Sequence, residues 1–208
     1  MRFVHGMMAM VRSLGGSWTT AVRVTGFDRR TTEGSQSTMR ATTACIALMV
    51  SLMVMVGPAF AAKLQVSFAD PSWTGKKIPK GQHCKKFGGE GSTPELKVSG
   101  IPEGTTAIFV EFNDASFQPL SSRGGHGIVG FEHAGGGEAV LPPVPGGTEE
   151  TPAGTWIEKK NRATGAWKSP GYLPPCSGGR GNRYFAVVKA IDADRKVLAK
   201  AKIKLGRY

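Results

Sequence analysis

Residues 169–192 read SPGYLPPCSGGRGNRYFAVVKAID, a rigid loop that runs without a break into a strongly alternating strand. Proline fixes φ and removes an amide donor, and glycine reaches backbone shapes closed to other residues. Pro170, Pro174, Pro175, Gly178, Gly179 and Gly181 all fall in this one loop, so its shape is specified by the sequence. The loop then delivers Asn182, Arg183 and Tyr184 to the mouth of a strand. A shaped loop that presents polar groups beside a sheet is a common way to build a ligand pocket.

Outward from this stretch the period stays close to two residues. Tyr184 to Ile191 and Val197 to Leu205 are the longest alternating segments, and Asp192-Ala193-Asp194-Arg195 between them reads as a hairpin turn. In the second of these, Lys200, Lys202 and Lys204 alternate with Ala201, Ile203 and Leu205, one wet face of a half-buried strand. Thr106 to Phe112 places Ile108, Val110 and Phe112 on one side. Lys63 to Phe68, Glu95 to Val98, Gly127 to Phe131 and Glu138 to Leu141 are shorter strands. Ala134 to Gly154 is rich in Gly and Pro and reads as a mobile surface loop. No segment sustains a helical period and there is no internal repeat. Short strands separated by Gly/Pro turns predict an all-β, mainly antiparallel sandwich with long loops and little helix.

The N-terminal part has a different character. Arg40 followed by the apolar run Ala44 to Val56 and by Ala59-Phe60-Ala61 has the order of a signal peptide, with cleavage expected after Ala61. The alternative is a single membrane anchor, for which the run is short. Residues 1–38 carry many Thr, Ser and Arg and no sustained apolar face, so they read as a leader outside the fold, either a start placed too far upstream or a disordered segment. This leaves 62–208 as one domain, exported to the periplasm or secreted. It holds 21 Lys and Arg against 13 Asp and Glu, a formal net charge of +8. That balance suits weak contact with an anionic membrane surface, and no nucleic-acid partner is expected. Once Cys45 leaves with the signal, Cys84 and Cys176 remain. In an oxidising compartment they pair, closing a loop of about ninety residues and contributing about 3–4 kcal/mol by the chain-entropy model. The alternative is two unpaired structural cysteines. His83 beside Cys84 lacks the spacing of a metal site.

Three segments belong together: CKKFGGEGSTPELKVSG (84–100) leading into IPEGTTAIFVEFNDAS, then GGHGIVGF (124–131), then the opening loop and strand. Their order and spacing resemble the phosphatidylethanolamine-binding protein family, in particular its exported bacterial YbhB/YbcL type, described as Raf-kinase-inhibitor-like. Thr93-Pro94-Glu95-Leu96 matches the family's Ser-Pro-x-Leu segment, and Asn113-Asp114-Ala115-Ser116 the tail of its Asp-Pro-Asp-Ala-Pro motif. His126 matches the histidine that heads the next strand. Pro175-Cys176 and Arg183-Tyr184 match the Pro-Cys and Arg-Tyr of its closing loop. The resemblance implies a small anion pocket lined by Asp114, His126 and Tyr184. Phe112, Ser116, Gly127, Ser177-Gly178 and Asn182 depart from the pattern, and they remove one carboxylate and one imidazole from the family's set.

Ligand-binding residues are therefore expected at Asp114, His126, Pro175, Asn182 and Tyr184. His126 would donate to an anion when protonated, with Asp114 orienting its imidazole and Tyr184 adding a hydroxyl. Gly125 and Gly127 would let a ligand approach the backbone. The expected function is a non-enzymatic exported binding protein for a small anionic or phosphate-bearing ligand, with no cofactor and no metal. Two alternatives stand beside it. One is a protein-interaction or inhibitor module acting through the 132–168 segment and the basic face. The other is a hydrolase, for which there is no nucleophile elbow, carboxylate pair, metal spacing or phosphate-cradling loop.

Overall fold

A computed structural model describes residues 63–208. The expected leader, the signal segment and Cys45 lie outside the described residues. Eight strands form two antiparallel sheets. The smaller sheet joins β1 (Gln65–Phe68), β2 (Leu96–Ser99) and β5 (Glu138–Leu141) in the order β1-β2-β5. The larger joins β3 (Ala107–Asp114), β4 (Ile128–Glu132), β6 (Thr155–Lys159), β7 (Arg183–Ile191) and β8 (Val197–Arg207) in the order β6-β4-β3-β7-β8. Three single-turn 3-10 segments, at 85–87, 118–120 and 165–167, are the only helical elements among the described residues. The predicted all-β sandwich is the architecture found.

Alternation explains the core. Leu96, Val98 and Leu141 of the small sheet and Ile108, Val110, Phe112, Val129, Phe131, Ala186 and Val188 of the large one are all buried in a single cluster. In an antiparallel pair, opposed residues share a face. Ile108 therefore faces Ala190, Val110 faces Val188, and Phe112 faces Ala186. One step further along the same inner row, Asp114 faces Tyr184. The row is apolar through the core and turns polar at its end, and that end is where a site is built.

Two expectations change. The Gly/Pro-rich 134–154 stretch is not free surface, because its middle is tied down. The Thr93 amide donates to the Val144 carbonyl at 2.9 Å, and the Val144 amide donates to Thr93 Oγ1 at 2.9 Å. Val144 is fully buried. Strand β6, unforeseen from the sequence, reads TWIEK, with one aliphatic residue and no alternation. It is recruited by pairing with β4. At the hairpin between β7 and β8, Asp192 Oδ1 accepts the amides of Asp194 and Lys196, which fixes the predicted turn.

Candidate functional site

Asp114, the last residue of β3, and Tyr184, near the start of β7, line a cavity of about 250 Å³ together with His126 and Asn182. His126 reaches it from the turn before β4. Two backbone bonds to β3 hold that turn: the His126 amide donates to the Phe112 carbonyl at 2.9 Å, and the Phe112 amide donates to the Gly127 carbonyl at 3.0 Å. The side chain of Asn113 ties the turn a second time, because its Oδ1 accepts the amides of Gly124 and Gly125 at 3.0 and 3.2 Å. The glycines flanking His126 serve packing, not ligand access. A Cβ on Gly125 would lie 2.2 Å from the Leu120 carbonyl oxygen, and Gly127 has φ +112° with a Cβ position 3.2 Å from Tyr172 Cα.

The 169–182 loop forms the opposite wall. Its Leu173 carbonyl accepts the Nδ1–H of His126 at 2.8 Å, and the Leu173 amide donates to the His126 carbonyl at 2.8 Å. A carbonyl can only accept, so Nδ1 carries the proton and the neutral ring presents Nε2 as a bare lone pair. That Nε2 is buried and has no hydrogen-bond partner. Burial holds the imidazole pKa below its ordinary value, against smaller upward pulls from the Leu173 carbonyl and the Asp114 charge. The orienting group is thus Leu173, not Asp114. The Asp114 carboxylate is itself held by the Ser116 amide at 2.8 Å and by Asn182 Nδ2 at 2.6 Å. Asn182, which stands where the resemblance puts a histidine, serves as a donor to that carboxylate.

The Tyr184 ring meets the His126 ring edge to face, with centroids 5.4 Å apart. Its hydroxyl oxygen accepts the Cys176 amide at 3.2 Å. Burial pushes its pKa up to about 12, so the phenol keeps a hydrogen to donate. Pro175 does not line the cavity; its carbonyl accepts the Cys84 amide at 3.0 Å. Cys84 and Cys176 form a disulfide with Cα atoms 5.2 Å apart, and Cys176 contributes to the cavity wall.

The mouth was not anticipated in the sequence. Arg162 and Arg180 both line it. Arg162 donates to the carbonyls of Pro119, Ser122 and Arg123, which shapes the loop before His126, and neither arginine has a carboxylate partner among the described residues. Phe117 and Trp167, 49% and 36% exposed, complete the rim. A rim arginine or aromatic far away in sequence leaves no local motif, so only the fold reveals it. No group of three His, Cys, Asp or Glu side chains suited to a metal exists among the described residues.

No family model matches the sequence, and no curated protein matches it. Solved structures similar to this chain include two described as members of one family. One is CT736 of Chlamydia trachomatis, described as a phosphatidylethanolamine-binding protein homologue. It is 22% identical, with 70% of this chain and 97% of that chain covered and a TM-score of 0.46. The other is YbcL of E. coli, described as a new member of the mammalian PEBP family. It is also 22% identical, with 71% of this chain and 98% of that chain covered and a TM-score of 0.46.

Proposed function

We propose that this chain is an exported, non-enzymatic binding protein of the phosphatidylethanolamine-binding protein family, and that its cavity takes a small anionic or phosphate-bearing ligand. The unpartnered Nε2 of His126 carries this reading. A buried acceptor without a partner is costly, and a ligand that brings a hydrogen to it recovers that cost. The floor of the cavity accepts hydrogens at His126 Nε2 and beside the Asp114 carboxylate, whereas the mouth offers the positive charge of Arg162 and Arg180. A phosphate monoester carrying one proton fits this polarity. Its P–OH donates to Nε2, and its ionised oxygens face the Tyr184 hydroxyl and the arginine rim. Binding without turnover is favoured because no hydroxyl or thiol partners Nε2 as a nucleophile would, and Cys176 is locked in a disulfide. Export rests on the Arg40 to Ala61 pattern in the sequence.

The second phosphate ionisation lies near pH 6, so binding of the monoprotonated form is expected to weaken as pH rises from about 6 to 8. In NMR titrations, millimolar phosphoethanolamine is expected to shift the ring signals of His126 and Tyr184 at pH 6, and less so at pH 8, whereas inorganic phosphate, which keeps a P–OH at both pH values, should lose less of its effect. The absence of any shift at pH 6 removes the pocket reading. Ester turnover that disappears in His126→Ala would remove the non-enzymatic one.

A further inference from the structure

A second cavity, of about 610 Å³, opens on the other side of Tyr184, where the ends of β7 and β8 meet the 75–76 segment. Five cations line it: Lys76, Arg183, Lys202, Lys204 and Arg207. No carboxylate does, and none of the five has an ion-pair partner among the described residues. The excess is local. Elsewhere on the same sheet Lys189 pairs with Glu111 at 2.6 Å, and in the β7–β8 turn Arg195 pairs with Glu158. Lys159 and Lys200 of the same sheet are also unpaired among the described residues, but neither lines this groove. What sets the groove apart is five unpaired cations around one cavity with no carboxylate among them.

The walls of the groove are fixed. The Arg207 amide donates to the Lys76 carbonyl at 3.1 Å, and the Ile78 amide donates to the Arg207 carbonyl at 3.0 Å. This close crossing needs Gly206, at φ +134°, where a Cβ would lie 2.7 Å from the Lys77 carbonyl carbon. Arg183 stands opposite Arg207 across the β7–β8 ladder. Lys202 and Lys204 share one face of β8 at strand spacing, about 6.8 Å apart. The Lys202 ammonium is held 3.9 Å from the centroid of the Phe185 ring.

We propose that this groove binds an oligo-anion, a ligand with at least two phosphate or sulfate groups on one linear backbone. Like charges gathered in a concave surface focus a field that concentrates polyvalent anions over monovalent ones. Recognition is by charge spacing alone. Lys202 covers one face of Phe185, and Tyr184, the other aromatic residue of the lining, is buried, so the groove presents no open aromatic platform for stacking a base or a sugar. None of the exposed large apolar side chains, Phe117 and Trp167 among them, lines the groove, so it offers nothing to insert into a bilayer. The proposal is independent of what fills the His126 cavity.

Calorimetric titration of the purified protein with sodium tripolyphosphate, heparin fragments and inorganic monophosphate tests it. Tripolyphosphate and heparin are expected to bind at least tenfold more tightly than monophosphate, with affinity falling as salt is raised. The double variant Lys202→Glu/Lys204→Glu is expected to lose at least tenfold. The variant Lys97→Glu/Lys159→Glu, which changes net charge equally on the small sheet and on β6, keeps the affinity within twofold. If the first variant unfolds, Lys202→Gln/Lys204→Gln replaces it, with at least a threefold loss expected. Equal losses in both charge-reversal variants would mean attraction to net charge only and overturn the proposal. So would tripolyphosphate binding no better than monophosphate, or binding confined to phosphatidylglycerol vesicles or duplex DNA.

Discussion

His126 owes its character to burial. Its folded pKa is depressed below the ordinary 6.5, so in that range the unfolded chain binds more protons than the folded one. The stability this contributes is present above pH 6.5 and is lost as pH falls toward the depressed folded value. Denaturant midpoints are therefore expected to drop between pH 7 and pH 5, and the drop should be smaller in His126→Gln. An equal drop in the variant would assign the acid sensitivity elsewhere. The sequence made His126 and Tyr184 visible because each sits in a short motif. It could not show that Leu173 orients the imidazole, because a backbone carbonyl carries no side-chain signature. Asp114 was visible too, but its partner is Asn182. That pairing depends on the last residue of one strand meeting the loop that feeds another, sixty-eight residues away.

The site at the level of elements is one antiparallel pair, β3 and β7, extended one step past its apolar row. The long alternating strands were legible because burial on one face forces a period of two. The short β6 was not, because a segment with neither alternation nor length is set by its neighbour β4. The 134–154 stretch misled in the opposite direction. Its composition is that of a loop, but Thr93 and Val144 bind it to the core. Asn113 is the residue that joins β3 to the His126 turn. Asn113→Ala strands the buried amides of Gly124 and Gly125, which should cost about 1–3 kcal/mol. Urea unfolding measures that loss, and the phosphate-induced shift of His126 should weaken with it. A variant that keeps wild-type stability would show that the turn holds itself.

Across the whole domain, the disulfide is the covalent link: it spans ninety-two residues and joins the 85–87 turn to the pocket loop. A thiol assay on denatured, non-reduced protein spanning 62–208 should find no free cysteine. Reduction, or Cys84→Ala/Cys176→Ala, should lower stability by about 3–4 kcal/mol in denaturant titrations. A change below 1 kcal/mol would mean the loop is held by its backbone contacts alone.

The position of Cys176 has a further consequence. It lines the His126 cavity on one side and a smaller cavity beside Lys85, Lys86 and Lys168 on the other, so the bridge is a shared wall between two chambers. With the bond open, the loop carrying Leu173 keeps its backbone contacts to His126 and Cys84 but lacks its covalent anchor. Closing the bond therefore fixes one wall of both chambers at once, so the bond that steadies the fold also sets the shape of the proposed binding cavity.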